Sequence, residues 1–376
     1  MKPQMSKNIP GQIDPRPWLE RSRTATGRDV LRAMSAESPT VSDLAVLLSP
    51  AADSAMEQMA QRALDLTRRH FGRTISLYIP LYLSDYCSGG CVYCGFAADR
   101  RIQRHRLDRR QAIAEMDYIK SMGFDEILLL TGERTRQAGF PFVLENVRLA
   151  AARFNAVTIE TFPMAVDEYK ALADAGCIGI SLYQETFDPG VYSQVHRWGP
   201  KRDYEGRIDA PGRALEAGIR QAGLGVLLGL ADPIFDALAL FQHICHLRKT
   251  FWRAGFSVSF PRIRPQAGGY APICPVDDRL LARIIWAFRI CLPDAHMVLS
   301  TRESPAFRDG MAGVGISKMS SASRTTVGGY AGSEACRNGQ FSVNDDRDTD
   351  AFCAMLRARG LEPVFKNWDA VYRSTA

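Results

Sequence analysis

Three cysteines fall within eight positions of YLSDYCSGGCVYCGFAADRR (82–101), as CxxxCxxC at Cys87, Cys91 and Cys94. Thiolates so close together ligate metal, and their number restricts which metal. A structural zinc site takes four ligands, commonly as two knuckle pairs, and no second pair follows. A four-iron cluster can be held by three thiolates, which leaves one iron open to a small ligand and therefore reactive. The other cysteines, Cys177, Cys245, Cys274, Cys291, Cys336 and Cys353, stand singly, as buried core cysteines do.

Something must hold those sulfurs at one point, and the surrounding pattern supplies it. Short apolar runs, many β-branched, alternate with helix-like stretches. The runs are TISLYIPLYL (74–83), EILLLTG (126–132), AVTIET (156–161), IGISLY (178–183), LGVLLGL (224–230), FSVSFPRI (256–263), HMVLSTR (296–302) and VGISKMS (314–320). RRQAIAEMDYIKSMG (109–123) and DRLLARIIWAFRICL (278–292) exemplify the helices between them. Eight such units predict an α/β fold, a closed (β/α)8 barrel of the TIM type. AMEQMAQRALDLTRRHFG (55–72) reads as a helix stopped by Gly72. The expected division is an N-terminal helical extension (1–72), the barrel (73–325) and a C-terminal extension closing it (326–376).

In such a barrel the chemistry sits at the carboxyl ends of the strands. The cysteines follow the first run, Thr131-Gly132-Glu133 ends the second and Glu160 the third. Gln184 and Glu185 follow the fourth, Arg262 and Arg264 the sixth, Arg302 and Glu303 the seventh, and Ser320, Ser321 and Ser323 the eighth. One polar residue after a strand is commonly a cap or turn; a ring of them implies a site.

With 46% hydrophobic and 23% charged residues among 376, the chain is globular rather than disordered. A net charge of +6 is modest. Its basic concentration, RRIQRHRLDRR (100–110), lacks interleaved aromatics and reads as a solvated helix start rather than a nucleic-acid patch, with a nearby anionic cofactor as a third reading. No signal-peptide core and no membrane-spanning run occurs. An odd count of nine cysteines without framework spacing indicates a reducing cytoplasm, with no nucleic acid and no membrane as partner.

CxxxCxxC with an aromatic, Tyr93, before the third cysteine resembles the signature of the radical S-adenosylmethionine enzymes. The resemblance implies that Cys87, Cys91 and Cys94 hold a 4Fe-4S cluster, and that the amino and carboxylate groups of S-adenosyl-L-methionine chelate the fourth iron. Reduction would then yield methionine and a 5′-deoxyadenosyl radical, chemistry that no side chain supplies. Thr131-Gly132-Glu133 is similar to the family's Gly-Gly-Glu motif, which receives the cofactor's amino group. By the same resemblance Glu185 would bind the ribose, Arg207 would pair with the methionine carboxylate through a two-pronged fork, and Tyr93 would be a further cofactor contact. For Arg207 a structural ion pair is the competing reading. GLGVLLGL (223–230) could lay backbone against adenine or simply be a packed strand.

YLSxYCxxxCxYCGF, LLLTGE, YQET, SVSFPRIRP (257–265), LSTRESPAFRD (299–309), GGYA (328–331) and QFSVNDDRD…GLEPVFKNWD (340–369) resemble the aromatic amino-acid lyases of this superfamily, in particular the tyrosine lyases of thiamine thiazole synthesis. Asp85 in place of Asn, the Ser88-Gly89-Gly90 loop and Val327 in place of Pro depart from that pattern. The resemblance implies Cα–Cβ cleavage of L-tyrosine to dehydroglycine and p-cresol, with Arg302 on the substrate carboxylate and Tyr82 and Ser320 as further contacts, core or turn roles being the alternative for these two. It also implies an apolar barrel interior around the aromatic ring, a flavodoxin- or ferredoxin-type reductant and a thiazole synthase that consumes the imine. A tryptophan lyase and the hydrogenase-maturation tyrosine lyase are the neighbouring readings. The latter would place a second cluster on C-terminal cysteines, whereas Cys336 and Cys353 stand alone. A non-catalytic metal-binding scaffold is the remaining alternative.

Overall fold

The computed structural model of the chain describes residues 11, 13–332 and 338–365. Four helices lead in: α1 (Arg16–Arg23), α2 (Gly27–Ser35), α3 (Val41–Leu47) and α4 (Met56–Phe71). Thr26 and Asp29 form a reciprocal capping box that starts α2. Gly72, at φ 64°, stops α4 in a conformation costly for any residue with a Cβ. Leu44 and Leu47 of α3 are fully buried. Each such leucine contributes about 1.5–3 kcal/mol of hydrophobic stabilisation.

The strands are β1 (Thr74–Tyr82), β2 (Glu126–Leu130), β3 (Ala156–Glu160), β4 (Cys177–Ser181), β5 (Gln221–Gly225), β6 (Gly255–Ser259), β7 (His296–Leu299) and β8 (Lys318–Ser320). Each pairs in parallel with the next, and β1 pairs with both β8 and β2, which closes the barrel. The connections carry α5 (Arg109–Ser121), α6 (Phe140–Ala151), α7 (Val166–Asp174), α8 (Pro189–Val195), α9 (Tyr204–Glu216), α10 (Pro233–Thr250), α11 (Asp278–Cys291) and α12 (Pro305–Met311). After the barrel come α13 (Thr349–Ala358) and a ninth strand, β9 (Glu362–Val364). β8 pairs with β1 at Ser76–Tyr78 and β2 at Ile79–Tyr82; β9 takes the stretch Thr74–Ser76, on the edge that β2 leaves bare.

β1 shows why the sequence folds this way. Ile75, Leu77, Ile79 and Leu81 join the main hydrophobic core beneath the helices, while Tyr78 and Tyr82 belong to a separate cluster with Phe96, Leu128 and Leu130. The expected apolar interior is corrected by what lies deeper. A chamber inside the barrel is lined by Leu128, Ile180 and Val298 but also by Thr158, Ser181, Gln221, Ser257 and a Lys318–Glu126 pair. A buried charge pair of this kind excludes a simple hydrophobic filling.

The fifth strand lies earlier than LGVLLGL (224–230) suggested. Gly223 and Gly225 resemble strand breakers in sequence, yet they permit close packing. A Cβ on Gly225 would stand 2.5 Å from the Ser259 carbonyl oxygen. Among the described residues no helix is long and apolar enough to cross a membrane.

Candidate active site

The cysteine loop leaves β1 and returns at Arg106, with Ser84 and Arg106 bridged in antiparallel fashion. Asp85, where the pattern favours Asn, is buried and accepts the His105 N–H at 2.6 Å, pinning the two ends of the loop. The basic run is not merely a solvated helix start. Arg100 donates to the carbonyls of Cys94 and Val92 at 3.2 and 2.8 Å. Arg104 donates to those of Asp85, Phe96 and Ala97 at 2.6–2.8 Å. Two guanidinium forks thus satisfy carbonyls of an irregular loop that has no sheet to satisfy them.

His196 braces the same loop. It bridges Cys91, its Nδ1 lies 2.9 Å from the Tyr192 carbonyl oxygen, and its Nε2 lies 2.6 Å from the Tyr93 hydroxyl. A carbonyl only accepts, so Nδ1 carries the proton and Nε2 accepts from Tyr93. Burial and the charge of Lys201 push the imidazole down to about 2, so it is neutral. Gly90, in the loop that departs from the pattern, lies under the Trp198 ring where a Cβ would clash.

Over the carboxyl ends of the strands opens a cavity. It gathers Cys87, Cys91, Cys94, Tyr82, Tyr93, Thr131, Gly132, Glu133, Glu185, Arg207 and Arg302, residues drawn from segments far apart in sequence. Ser320 does not join them. It is buried, and its hydroxyl accepts the Thr301 N–H at 3.2 Å, which makes it a support of the loop after β7. The Tyr82 hydroxyl is also engaged, donating to Gln340 Oε1 at 2.7 Å.

The donor set suits a cationic cluster. Cys87 Sγ accepts the N–H of Gly89 at 3.3 Å and of Glu133 at 3.4 Å, and Cys94 Sγ accepts that of Phe96 at 3.4 Å. At Cys87 such bonds favour thiolate over thiol. Burial, with Cys94 adding, pushes the Cys87 thiol up to about 11, and burial pushes Cys91 to about 12 although Lys201 opposes it. A bound metal centre is what deprotonates thiols in such surroundings. Gly132 is glycine because β2 ends against the cysteine loop: a Cβ there would lie 2.6 Å from the Tyr86 oxygen and 2.7 Å from Cys87 Cβ.

Beside the sulfurs sits a buried charge cluster. Arg207 Nη1 donates to Glu133 at 3.2 Å, its Nε donates to the Tyr183 carbonyl at 2.8 Å, and its Nη2 lies 3.8 Å from Glu185. Lys201, which sequence reasoning missed, donates to Glu185 at 2.6 Å. Glu185 occupies the left-handed region at φ 73°, an uncommon state for a residue with a Cβ and one that clusters at binding sites. Glu133 Oε2 is buried without a partner among the described residues. Such an orphan awaits a donor.

The rim arginines divide. Arg262 pairs with Glu303 and Asp278 and donates to the Val276 carbonyl, a structural role. Arg302 lies over Phe341, and Gln340 and Phe341 line the cavity from the C-terminal segment. That segment is tied down by Gly95 N donating to the Gln340 carbonyl at 3.1 Å and by Glu115 accepting the Tyr330 N–H at 2.8 Å. Val327, the departure from Pro, bridges Tyr82. QFSVNDD marked this stretch in sequence; nothing there marked Lys201 or His196. Cys353 is buried in α13, and Cys336 lies outside the described residues.

Residues 81–239 match the profile of the Radical SAM superfamily, and residues 259–362 that of the Biotin and Thiamin Synthesis associated domain. The chain is 42% identical over 346 residues to the 2-iminoacetate synthase of Escherichia coli (strain K12), covering 92% of each. It is 40% identical, with the same coverage, to that of Salmonella typhimurium. A crystal structure of the FeFe-hydrogenase maturase HydG matches with a TM-score of 0.88 at 30% identity, over 95% of this chain and 80% of that one. Taken with the cysteine loop and the barrel rim, these relations show that the chain belongs to the radical SAM superfamily and, within it, to the family of the 2-iminoacetate synthases.

Proposed function

We propose that this chain is a radical SAM carbon–carbon lyase, cleaving the Cα–Cβ bond of L-tyrosine to 2-iminoacetate (dehydroglycine) and p-cresol for thiamine thiazole biosynthesis. The observation that carries the reading is a single cavity that joins three cysteine sulfurs, a buried acid–base cluster and the guanidinium of Arg302. Similarity to 2-iminoacetate synthases over 92% of the chain supports it.

Cys87, Cys91 and Cys94 would hold the 4Fe-4S cluster; Thr131, Gly132, Glu133, Tyr93, Glu185 and Arg207 would hold S-adenosyl-L-methionine. When bound, the two supply a carbon radical able to remove a hydrogen atom from the substrate. The protein's part is to place and enclose. Glu133, with its orphaned oxygen, would accept from the cofactor's ammonium, Arg207 would pair with the methionine carboxylate, and Lys201 braces Glu185. Arg302 grips the substrate carboxylate, and Phe96, Leu130, Leu227, Pro261 and Ile263 provide the apolar wall against which an aromatic ring lies. Fixing both ends of the amino acid steers which bond breaks. Gln340 and Phe341 cover the cavity and keep water from the reactive species. A flavodoxin- or ferredoxin-type reductant, a thiazole synthase that consumes the unstable imine, and a cytoplasmic setting complete the reading.

The test is anaerobic reconstitution followed by product analysis with L-tyrosine and L-tryptophan side by side. Formation of p-cresol from tyrosine is expected. Absence of p-cresol, with consumption of tryptophan instead, would overturn the substrate while leaving the superfamily intact.

A further inference from the structure

We propose that Glu160 receives the α-amino end of the substrate and takes the proton of its ammonium group. This rests on the amino-acid lyase reading above.

The carboxylates of the cavity carry the inference. Of the acidic residues that line it, Glu133 is engaged by Arg207 at 3.2 Å and Glu185 by Lys201 at 2.6 Å. Glu160, at the carboxyl end of β3, faces the same space yet forms no ion pair and accepts no side-chain hydrogen bond among the described residues. Its backbone is held, the carbonyl accepting the Thr131 N–H at 3.3 Å. Arg302 is its counterpart: its guanidinium meets the Phe341 ring and no carboxylate among the described residues. A carboxylate without a cation and a guanidinium without an anion, lining one cavity, are complementary to a zwitterion. Both are partly buried on the cavity wall, where reduced solvation strengthens their attraction to a ligand that pairs with them.

The chemistry asks for such a group. An α-ammonium has three N–H bonds and the nitrogen of an iminoacetate has one, so the nitrogen must release one hydrogen atom and one proton. The hydrogen atom belongs to the radical step of the proposed function. The proton needs an acceptor: the N–H bond breaks, nitrogen keeps the pair as a neutral amine, and an O–H bond forms on Glu160. Both partners lose charge, which a poorly solvated cavity favours.

The groups facing Glu160 are Glu185, Lys201, Arg207 and Arg302, and the phenols of Tyr78, Tyr82 and Tyr183. Burial raises its carboxyl, Glu185 adds to the rise, and Arg302, Lys201 and Arg207 oppose it, for a result of about 7. A group poised near neutrality can both accept and release a proton at working pH. Above that value Glu160 is an anion and attracts the ammonium; below it the attraction fades.

The test uses reconstituted holoenzyme with S-adenosyl-L-methionine, titrated calorimetrically with L-tyrosine and with 3-(4-hydroxyphenyl)propanoate, which lacks only the amine. The wild type should prefer tyrosine by about tenfold or more above neutrality, as a charge-assisted hydrogen bond implies, and the preference should shrink as pH falls below 7. Glu160→Gln should abolish preference and pH dependence together, with iron content and cofactor affinity unchanged, and p-cresol formation should fall by roughly a hundredfold. Retention of the wild-type preference and pH profile by Glu160→Gln would overturn the proposal. Should that variant lose iron, Glu160→Ala and Glu160→Asp decide it, the first losing the preference and the second keeping part of it. If the wild type binds tryptophan in place of tyrosine, the tyrosine reading fails and the same comparison with indole-3-propanoate decides the role of Glu160. If it binds neither amino acid, both fall.

Discussion

The guanidinium of Arg302 lies 3.4 Å from the centre of the Phe341 ring, so a residue at the mouth of the barrel rests on one from the segment that covers it. Ring and cation hold each other in place without consuming the guanidinium's in-plane donors, which stay free for a planar anion.

Replacing the ring should therefore loosen the clamp without touching the cofactor. Phe341→Leu removes about 0.5–2 kcal/mol of cation–π attraction and should raise KM for tyrosine severalfold while the affinity for S-adenosyl-L-methionine holds. Arg302→Lys keeps the charge but loses the fork, and should yield 5′-deoxyadenosine with little p-cresol. A wild-type ratio of the two products in that variant would remove Arg302 from the substrate site.

Arg207 is held between fold and cofactor. Arg207→Met leaves Glu133 buried without its partner, and breaking a buried pair from one side costs about 3–5 kcal/mol. Denaturant unfolding of the cofactor-free protein should register that loss, and equilibrium dialysis should show weaker binding of S-adenosyl-L-methionine. Weaker cofactor binding with unchanged stability would mean that the pair with Glu133 contributes nothing to the fold.

Gly132→Ala tests the reason for glycine at the end of β2. The added Cβ would stand 2.6 Å from the Tyr86 oxygen and 2.7 Å from Cys87 Cβ, both on a loop that cannot shift without moving a sulfur. Iron retention after anaerobic desalting should fall sharply, whereas Cys353→Ser, in the core of α13, should leave it unchanged. Full iron content in Gly132→Ala would show that the loop gives way freely.

Arg308 and Asp345, both buried, are paired, and Arg308 also donates to the Ser320 carbonyl. Burial alone would raise the Asp345 carboxyl, but hydrogen bonds and charge from Arg347 and Arg308 outweigh it and hold the group below its ordinary range. A carboxyl lowered on folding adds stability above its unfolded pKa of about 3.9, and that stability drains away as pH falls through the lower folded value. Asp345→Asn should flatten the acid limb of the stability curve in that window. An acid limb identical to the wild type would assign the dependence to other carboxylates.

The parts of this protein that could be read from sequence were the local ones. Three cysteines beside Tyr93, Thr131-Gly132-Glu133, Glu160, Glu185 and Arg302 announce themselves because strand ends on a barrel face one direction. Lys201 could not be read so: a lysine in a loop is usually solvated, and only the approach of Glu185 and Arg207 makes it part of the site. Gln340 meets Tyr82 across most of the chain, and Phe341 meets Arg302 from beyond the last barrel strand, contacts without a period to betray them. The polar floor of the barrel was hidden by the same alternation that revealed the strands, since Thr158, Ser181 and Ser257 look like the solvent face of a sheet. Arg100 and Arg104 passed for surface charge because what they bind is backbone carbonyl, which no sequence displays.

β9 has a consequence for how the molecule is made. Its pairing with Thr74–Ser76 joins an early strand to a much later one, so on a ribosome that edge of β1 waits, bare, until Glu362–Val364 has been made. A bare parallel edge is an adhesive surface. A chain that stalls or is cut before Glu362 keeps it exposed, and its fate is then governed by chaperones and proteases rather than by the stability of the finished ring.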